Sequence, residues 1–203
     1  MCGRYYVNKY TWGQVEEDFP NIAGKLQDSE LSRLMDRGTA RDITPAMPAL
    51  SLAAGGGAAV TPAALTWGCP GFDGKKLIIN ARAEGIEGKP AFADSIRQRR
   101  CVLPAAGFYE WDRKKEKVTF TDPDAPVIYL AGIWRPYGAQ NCFVIITRGA
   151  NESMLPVHDR MPLMIAKEDV RDWIFDSGAA ADLLAQSLPQ LEAKRDYEQL
   201  SLF

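Results

Sequence analysis

Long apolar runs are missing from this 203-residue chain, and so is an opening basic segment followed by an apolar one. The first absence argues against a membrane-spanning helix and the second against a secretory leader, so the protein is expected in the cytoplasm. Histidine is almost absent, His158 standing alone, and the four cysteines, Cys2, Cys69, Cys101 and Cys142, are scattered without a CxxC pair. Metal sites need clustered ligands and a disulfide framework needs denser cysteines, so no metal, no cofactor and reduced thiols are expected. A strong charge of one sign is also lacking, since 24 basic against 26 acidic side chains leave a formal −2. The acidic excess sits at the end, where residues 167–203 carry four Lys/Arg and eight Asp/Glu and read as an acidic outer layer. Residues 1–166 are therefore net basic, and local charge decides whether a phosphate backbone is attracted.

With 46% hydrophobic residues the length suffices for one substantial core, and residues 1–203 are read as one domain. An extended segment over 2–7 leads into a helix where Thr11 and Gln14 have capping-box spacing, and a second helix is predicted near 29–36. Short β-type runs follow at 76–80, 100–103, 107–111, 117–120, 126–134 and 141–147, punctuated by Pro, Gly and Asp. Helical patterns occupy about 167–176 and 179–187. Strands in succession with helices at both ends, without the alternation of a parallel sheet, predict an α+β fold on a mostly antiparallel, barrel-like sheet. The stretch AAGGGAAVTPAA at 53–64 reads as a flexible surface loop or a hairpin. Arg97, Arg99 and Arg100, and the basic run 113–117, read as solvated edges, and Trp12, Trp134 and Trp173 as core aromatics.

The chemistry begins at Cys2. If Met1 is removed, which the small Cys2 side chain favours, the chain starts with an amine and a thiol on adjacent carbons. An α-amine with a pKa of roughly 7.7–8 and a thiol near roughly 8.5 both have a nucleophilic fraction at neutral pH. Such a pair attacks one carbonyl twice: the amine forms an imine with an aldehyde, and sulfur closes a thiazolidine ring. The alternative is a small buried hydrophobe. Four further segments put polar or aromatic groups where a plain core would not: Asn80, Arg82 and Glu84 in LIINARAEG, Glu110 and Trp111 in RRCVLPAAGFYEW, His158, Asp159 and Arg160 in PVHDRMP, and Trp67 before a close-approach glycine in LTWGCPG. Singly, each has a structural reading, as a turn cap, a solvated carboxylate, a satisfied histidine or a core aromatic.

Together, MCGRY, TWG, INARAE, KPAF, RRCVLPAAGFYEW, LAGIW and HDRMP, in this order, resemble the SRAP family, the SOS response-associated peptidase domain whose members shield abasic sites. The resemblance runs from Cys2 to the closing LSLF. It implies a single α+β fold, a positive groove for single-stranded DNA, and a catalytic centre of Cys2, Asn80, Glu110 and His158. The groove residues it implies are Arg4, Trp67, Arg82, Trp111 and Arg160. The implied partner is single-stranded DNA carrying an abasic site, or a single-strand/duplex junction, bound by a monomer that is nucleoid-associated when on DNA. In that reading Glu110 moves protons, His158 protonates the sugar oxygen, Asn80 orients the amine and the aldehyde oxygen, and a thiazolidine crosslink results. Two alternatives stay open: an N-terminal-nucleophile cysteine peptidase, which needs Cys2 but not the groove, and a noncatalytic single-stranded DNA binding module, which needs the groove but not Cys2.

Overall fold

The computed structural model describes residues 2–27, 29–35, 40–71, 74 and 76–195. Five strands close a barrel: Pro48–Ala54, Val60–Trp67, Arg100–Ala105, Ile128–Tyr137 and Gln140–Gly149. Neighbours run antiparallel except where Val60–Trp67 meets Gln140–Gly149, with Cys142 beside Thr66 and Phe143 beside Trp67. A second, wholly antiparallel sheet lines up Glu192–Arg195, Lys117–Thr121, Gly107–Trp111, Tyr5–Val7 and Arg41–Ile43. Only Ala106 separates the barrel strand Arg100–Ala105 from Gly107–Trp111 in the other sheet. The chain thus steps from one layer to the next immediately before Glu110. The α+β class and the mostly antiparallel barrel match the expectation from sequence.

Alternation builds the core. In the second sheet Tyr5, Val7, Phe108, Glu110, Val118 and Phe120 face inward, while Arg4, Tyr6, Tyr109, Trp111 and Lys117 take the opposite parity. The predicted strands all form, the 76–80 run dividing into Leu77–Ile78 and Asn80–Arg82. The alanine-rich stretch 53–64 is the hairpin of the two readings. It supplies the ends of two barrel strands joined by a tight connection, so a flexible loop is ruled out. Ser51 donates its hydroxyl to the Ala63 carbonyl across that hairpin at 2.9 Å.

Several expectations are corrected. Thr11 and Gln14 do not form a capping box. Asn8 Oδ1 accepts from the backbone N–H groups of Tyr10 and Thr11, and Thr11 Oγ1 accepts from the Asn8 N–H, while Gln14 reaches forward to Asp18. The second helix is short, Ser29–Ser32, and residue 36 of the predicted span lies outside the described residues, as does the closing LSLF. Arg100 is no solvated edge: it is 3% exposed, and its guanidinium donates to the carbonyls of Ile96, Arg97, Trp173 and Ile174 where two helices end. Carbonyls at helix C-termini lack intrahelical donors, and a buried cation satisfies them. Cys69 and Cys142 are not separate reduced thiols. They form a disulfide, with Cα atoms 5.2 Å apart, because the parallel barrel pairing sets Thr66 beside Cys142 and so brings Cys69, three residues on, within reach of it. No helix of the described residues is long and apolar enough to cross a membrane.

Candidate active site

Cys2 is fully buried at the head of the second sheet, where Tyr5 pairs with Phe108 and the Tyr109 N–H donates to the Arg4 carbonyl. The strand Asn80–Arg82 lies parallel to the far half of Gln140–Gly149, with Asn80 beside Ile145 and Arg82 beside Thr147. Strand parity puts Ala81 into the core and Asn80 and Arg82 on the other face. Asn80 Nδ2 donates to the Cys2 carbonyl at 3.0 Å, tying residues 78 positions apart. Its Oδ1 is buried and has no hydrogen-bond partner among the described residues, an acceptor held ready beside the Cys2 backbone. Glu110 is 4% exposed, inward on Gly107–Trp111. Burial first, then the nearby Glu110 charge, pushes the Cys2 thiol up to about 12. At neutral pH this sulfur is therefore a thiol rather than a thiolate, unlike the depressed thiols of cysteine hydrolases.

The outward face next to this cluster is aromatic and cationic. The Arg4 guanidinium lies 5.4 Å from the Trp111 ring centroid, and Trp111 is 38% exposed. Arg4 Nη1 is 3.4 Å from Asp42 Oδ2, and the Tyr6 and Tyr109 rings stack at 5.1 Å beside them. Arg82 is exposed on its strand. Arg4, Arg82 and Trp111 can therefore meet a ligand from solvent.

Trp67 cannot. It is 0% exposed, stacked 6.1 Å from Phe143 with the Tyr5 ring tilted against it at 5.4 Å, and its indole N–H donates to the Ile79 carbonyl at 3.0 Å. Its expected place among the groove residues is corrected to one in the barrel core, where it holds the backbone immediately before Asn80. Gly68, at φ +100°, allows this approach, since a Cβ there would sit 3.2–3.3 Å from Leu77 and Ile79. Trp67→Phe is expected to lower stability by about 1–3 kcal/mol through lost packing and one lost hydrogen bond, with affinity for single-stranded DNA nearly unchanged. Thermal unfolding alongside a DNA titration checks it, and a large loss of affinity in a variant of near-normal stability would return Trp67 to the groove.

His158 lies in the loop before Arg160–Pro162. Its Nδ1 accepts from the Arg160 backbone N–H at 2.9 Å and is also 2.9 Å from Asp159 Oδ1. The Arg160 guanidinium is engaged within the protein, bound through both forks to Glu84 at 2.7 and 2.8 Å and to the Thr147 carbonyl at 2.7 Å. These bonds from Arg160 hold the Glu84 carboxyl down at about 2. Arg160 thus ties the histidine segment to the Asn80 strand. Two participants were missed from sequence. Glu84 stood out in LIINARAEG but was given no role, and Asp42, which faces Arg4, carries no local signal. A cavity of about 540 Å³ beside Asp18, Tyr129, Met164 and Gln186 contains none of these site residues.

Comparison with known proteins bears on the family and the fold. The abasic site processing protein YoaM of Bacillus subtilis is 32% identical over 125 residues, 57% of this chain and 55% of that protein. The abasic site processing protein YedK of Escherichia coli is 30% identical over 131 residues, 60% of this chain and 59% of its own length. These matches span little more than half of each relative. Among solved structures, a protein from Bacteroides thetaiotaomicron superposes with a TM-score of 0.76 at 19% identity, covering 97% of this chain and 93% of its own. A phage-related protein from Bordetella bronchiseptica gives 0.74 at 25%, covering 96% and 93%. A model of the SOS response associated peptidase (SRAP) family matches residues 1–201, a span that takes in Cys2, Asn80, Glu110 and His158 together, and the chain belongs to that family.

Proposed function

We propose that this protein captures abasic sites in single-stranded DNA as a covalent adduct on Cys2, shielding the lesion as part of a DNA damage response. The observation that carries the reading is the joining of Cys2, Asn80 and Glu110 in one buried cluster beside an exposed Arg4–Trp111 pair. Membership of the SRAP family and the abasic site processing named for its relatives support it. After Met1 is lost, the Cys2 amine adds to the C1′ aldehyde of the ring-opened sugar, and loss of water gives an imine. Sulfur then adds to the imine carbon, the thiol proton passes to nitrogen, and a neutral thiazolidine closes. In this reading Glu110 carries these protons, and Asn80 holds the Cys2 backbone and the aldehyde oxygen. His158 serves ring opening at the sugar oxygen. Trp111 offers a face to an unpaired base, and Arg4 and Arg82 meet phosphates, which favours single strands or junctions over continuous duplex.

In the peptidase reading a protonated Cys2 thiol needs a general base, Glu110 or His158, to take its proton as it attacks. In the crosslinking reading the amine acts first, so a protonated resting thiol is no obstacle. The test is the intact mass of the protein incubated with a single-stranded oligonucleotide carrying one abasic site. The expected product weighs the Met1-free chain plus the oligonucleotide minus one water. An oligonucleotide with a tetrahydrofuran in place of the abasic sugar has no aldehyde and should give none. No adduct from protein shown to lack Met1 would overturn the proposal.

A further inference from the structure

We infer that Glu84 is a positioning residue for His158, acting through Arg160 to hold the imidazole in one tautomer. The inference rests on the proposed role of His158 for its catalytic meaning, and on geometry alone for the tautomer. The Arg160 N–H points at Nδ1 from 2.9 Å, so Nδ1 of the neutral ring accepts and the ring proton sits on Nε2. That N–H belongs to the terminal pair of a ladder, Arg160 opposite Gly149, and end pairs are where strands fray. The Arg160 side chain prevents fraying by reaching Glu84 through both forks and the Thr147 carbonyl through a third bond. With a side chain 14% exposed, that guanidinium is largely withdrawn from solvent, and a planar fork against a carboxylate fixes direction as well as distance.

A competing acceptor makes the brace necessary. Asp159 Oδ1 lies equally close to Nδ1, at 2.9 Å, on a side chain that is 81% exposed. A carboxylate there would take a proton from Nδ1 and favour the opposite tautomer. The Arg160 N–H and the Asp159 carboxylate therefore pull the ring in opposite senses, and the position of the Arg160 backbone decides between them. Glu84 sets that position from the segment that also carries Asn80 and Arg82. The one ion pair thus aligns the histidine with the strand that holds Cys2.

His158 is the only histidine, so its two ring nitrogens can be read without ambiguity in a ¹⁵N-labelled protein. Wild type at a pH where the ring is neutral should show Nε2 protonated and Nδ1 bare. Glu84→Gln and Glu84→Ala should shift the ring towards a mixture of tautomers, and crosslinking to abasic single-stranded DNA should slow by about tenfold or more in Glu84→Ala, with Glu84→Asp partly restoring both. Glu84 is 57% exposed, so these variants are expected to fold, and their thermal unfolding is followed in parallel. A wild-type ring protonated on Nδ1, or variants with an unchanged spectrum, would overturn the inference. Because the tautomer is read without DNA, failure of the wild-type protein to crosslink would count against the proposed function and not against this positioning.

Discussion

Cys2→Ala, processed at Met1 like wild type, should form no heat-stable adduct with abasic single-stranded DNA, yet bind undamaged single strands almost as well as wild type does. The amine of residue 2 survives the substitution, so the imine can still form; what is lost is the sulfur that closes the ring. Borohydride should therefore trap the variant on abasic DNA as a secondary amine, whereas wild type gives its adduct without reductant. The affinity should hold because the exposed contacts, Arg4 over Trp111 and the exposed Arg82, are independent of the sulfur. Filling the buried Cys2 site with alanine costs packing, but a single small side chain at the edge of the core removes little. A denaturing gel with and without borohydride reads all three states. Heat-stable adduct from Cys2→Ala without reductant would remove the thiazolidine from the mechanism and leave the imine as the product.

Much of the fold was legible because strand patterns report burial directly. The run GFYEW shows alternate polarity only at Glu110 and Tyr109, and the structure places Glu110 on the inward side, where a solvated carboxylate would have been the ordinary reading. Two barrel strands were half hidden because alanine and proline have little β-propensity. In Pro48–Ala54 and Val60–Trp67 the small side chains are tolerated since neighbouring strands, and not intrinsic preference, hold the segment extended. Arg100 and Trp67 misled for a common reason. A basic residue in a basic run and a tryptophan beside a glycine look exposed until tertiary partners are known, and their partners are backbone carbonyls 73 and 12 residues away. The Cys69–Cys142 bond was invisible for the same reason, since only the parallel barrel closure brings the two together.

The site was legible as a set of residue types, not as a network. Cys2 and Asn80 could be named from motifs, but not the hydrogen bond that joins them. Arg160 was read as a groove residue because the resemblance to the family implied it. Its engagement with Glu84 follows from Gln140–Gly149 pairing with Asn80–Arg82 on one side and Arg160–Pro162 on the other, which no local pattern reveals.

Glu110→Gln should slow adduct formation by about 10²–10⁴-fold, the range associated with loss of a positioned acid/base. The substitution keeps the shape of the side chain and removes both its charge and its capacity to carry a proton. These two losses act on Cys2 in opposite directions, which makes the variant informative. The Glu110 charge is one of the causes that push the Cys2 thiol up to about 12, so glutamine lets that pKa fall and raises the thiolate fraction at any given pH. If thiol ionisation limited the reaction, the variant would be as fast as wild type or faster, and the more so as the pH is raised. If proton transfer during imine formation and ring closure limits it, the variant is slow despite its better thiol. Single-turnover rates of both proteins on abasic single-stranded DNA across a pH series separate the cases. A rate for Glu110→Gln at or above that of wild type would leave Glu110 as a charge that restrains the thiol, and the proton carrier would have to be sought at His158.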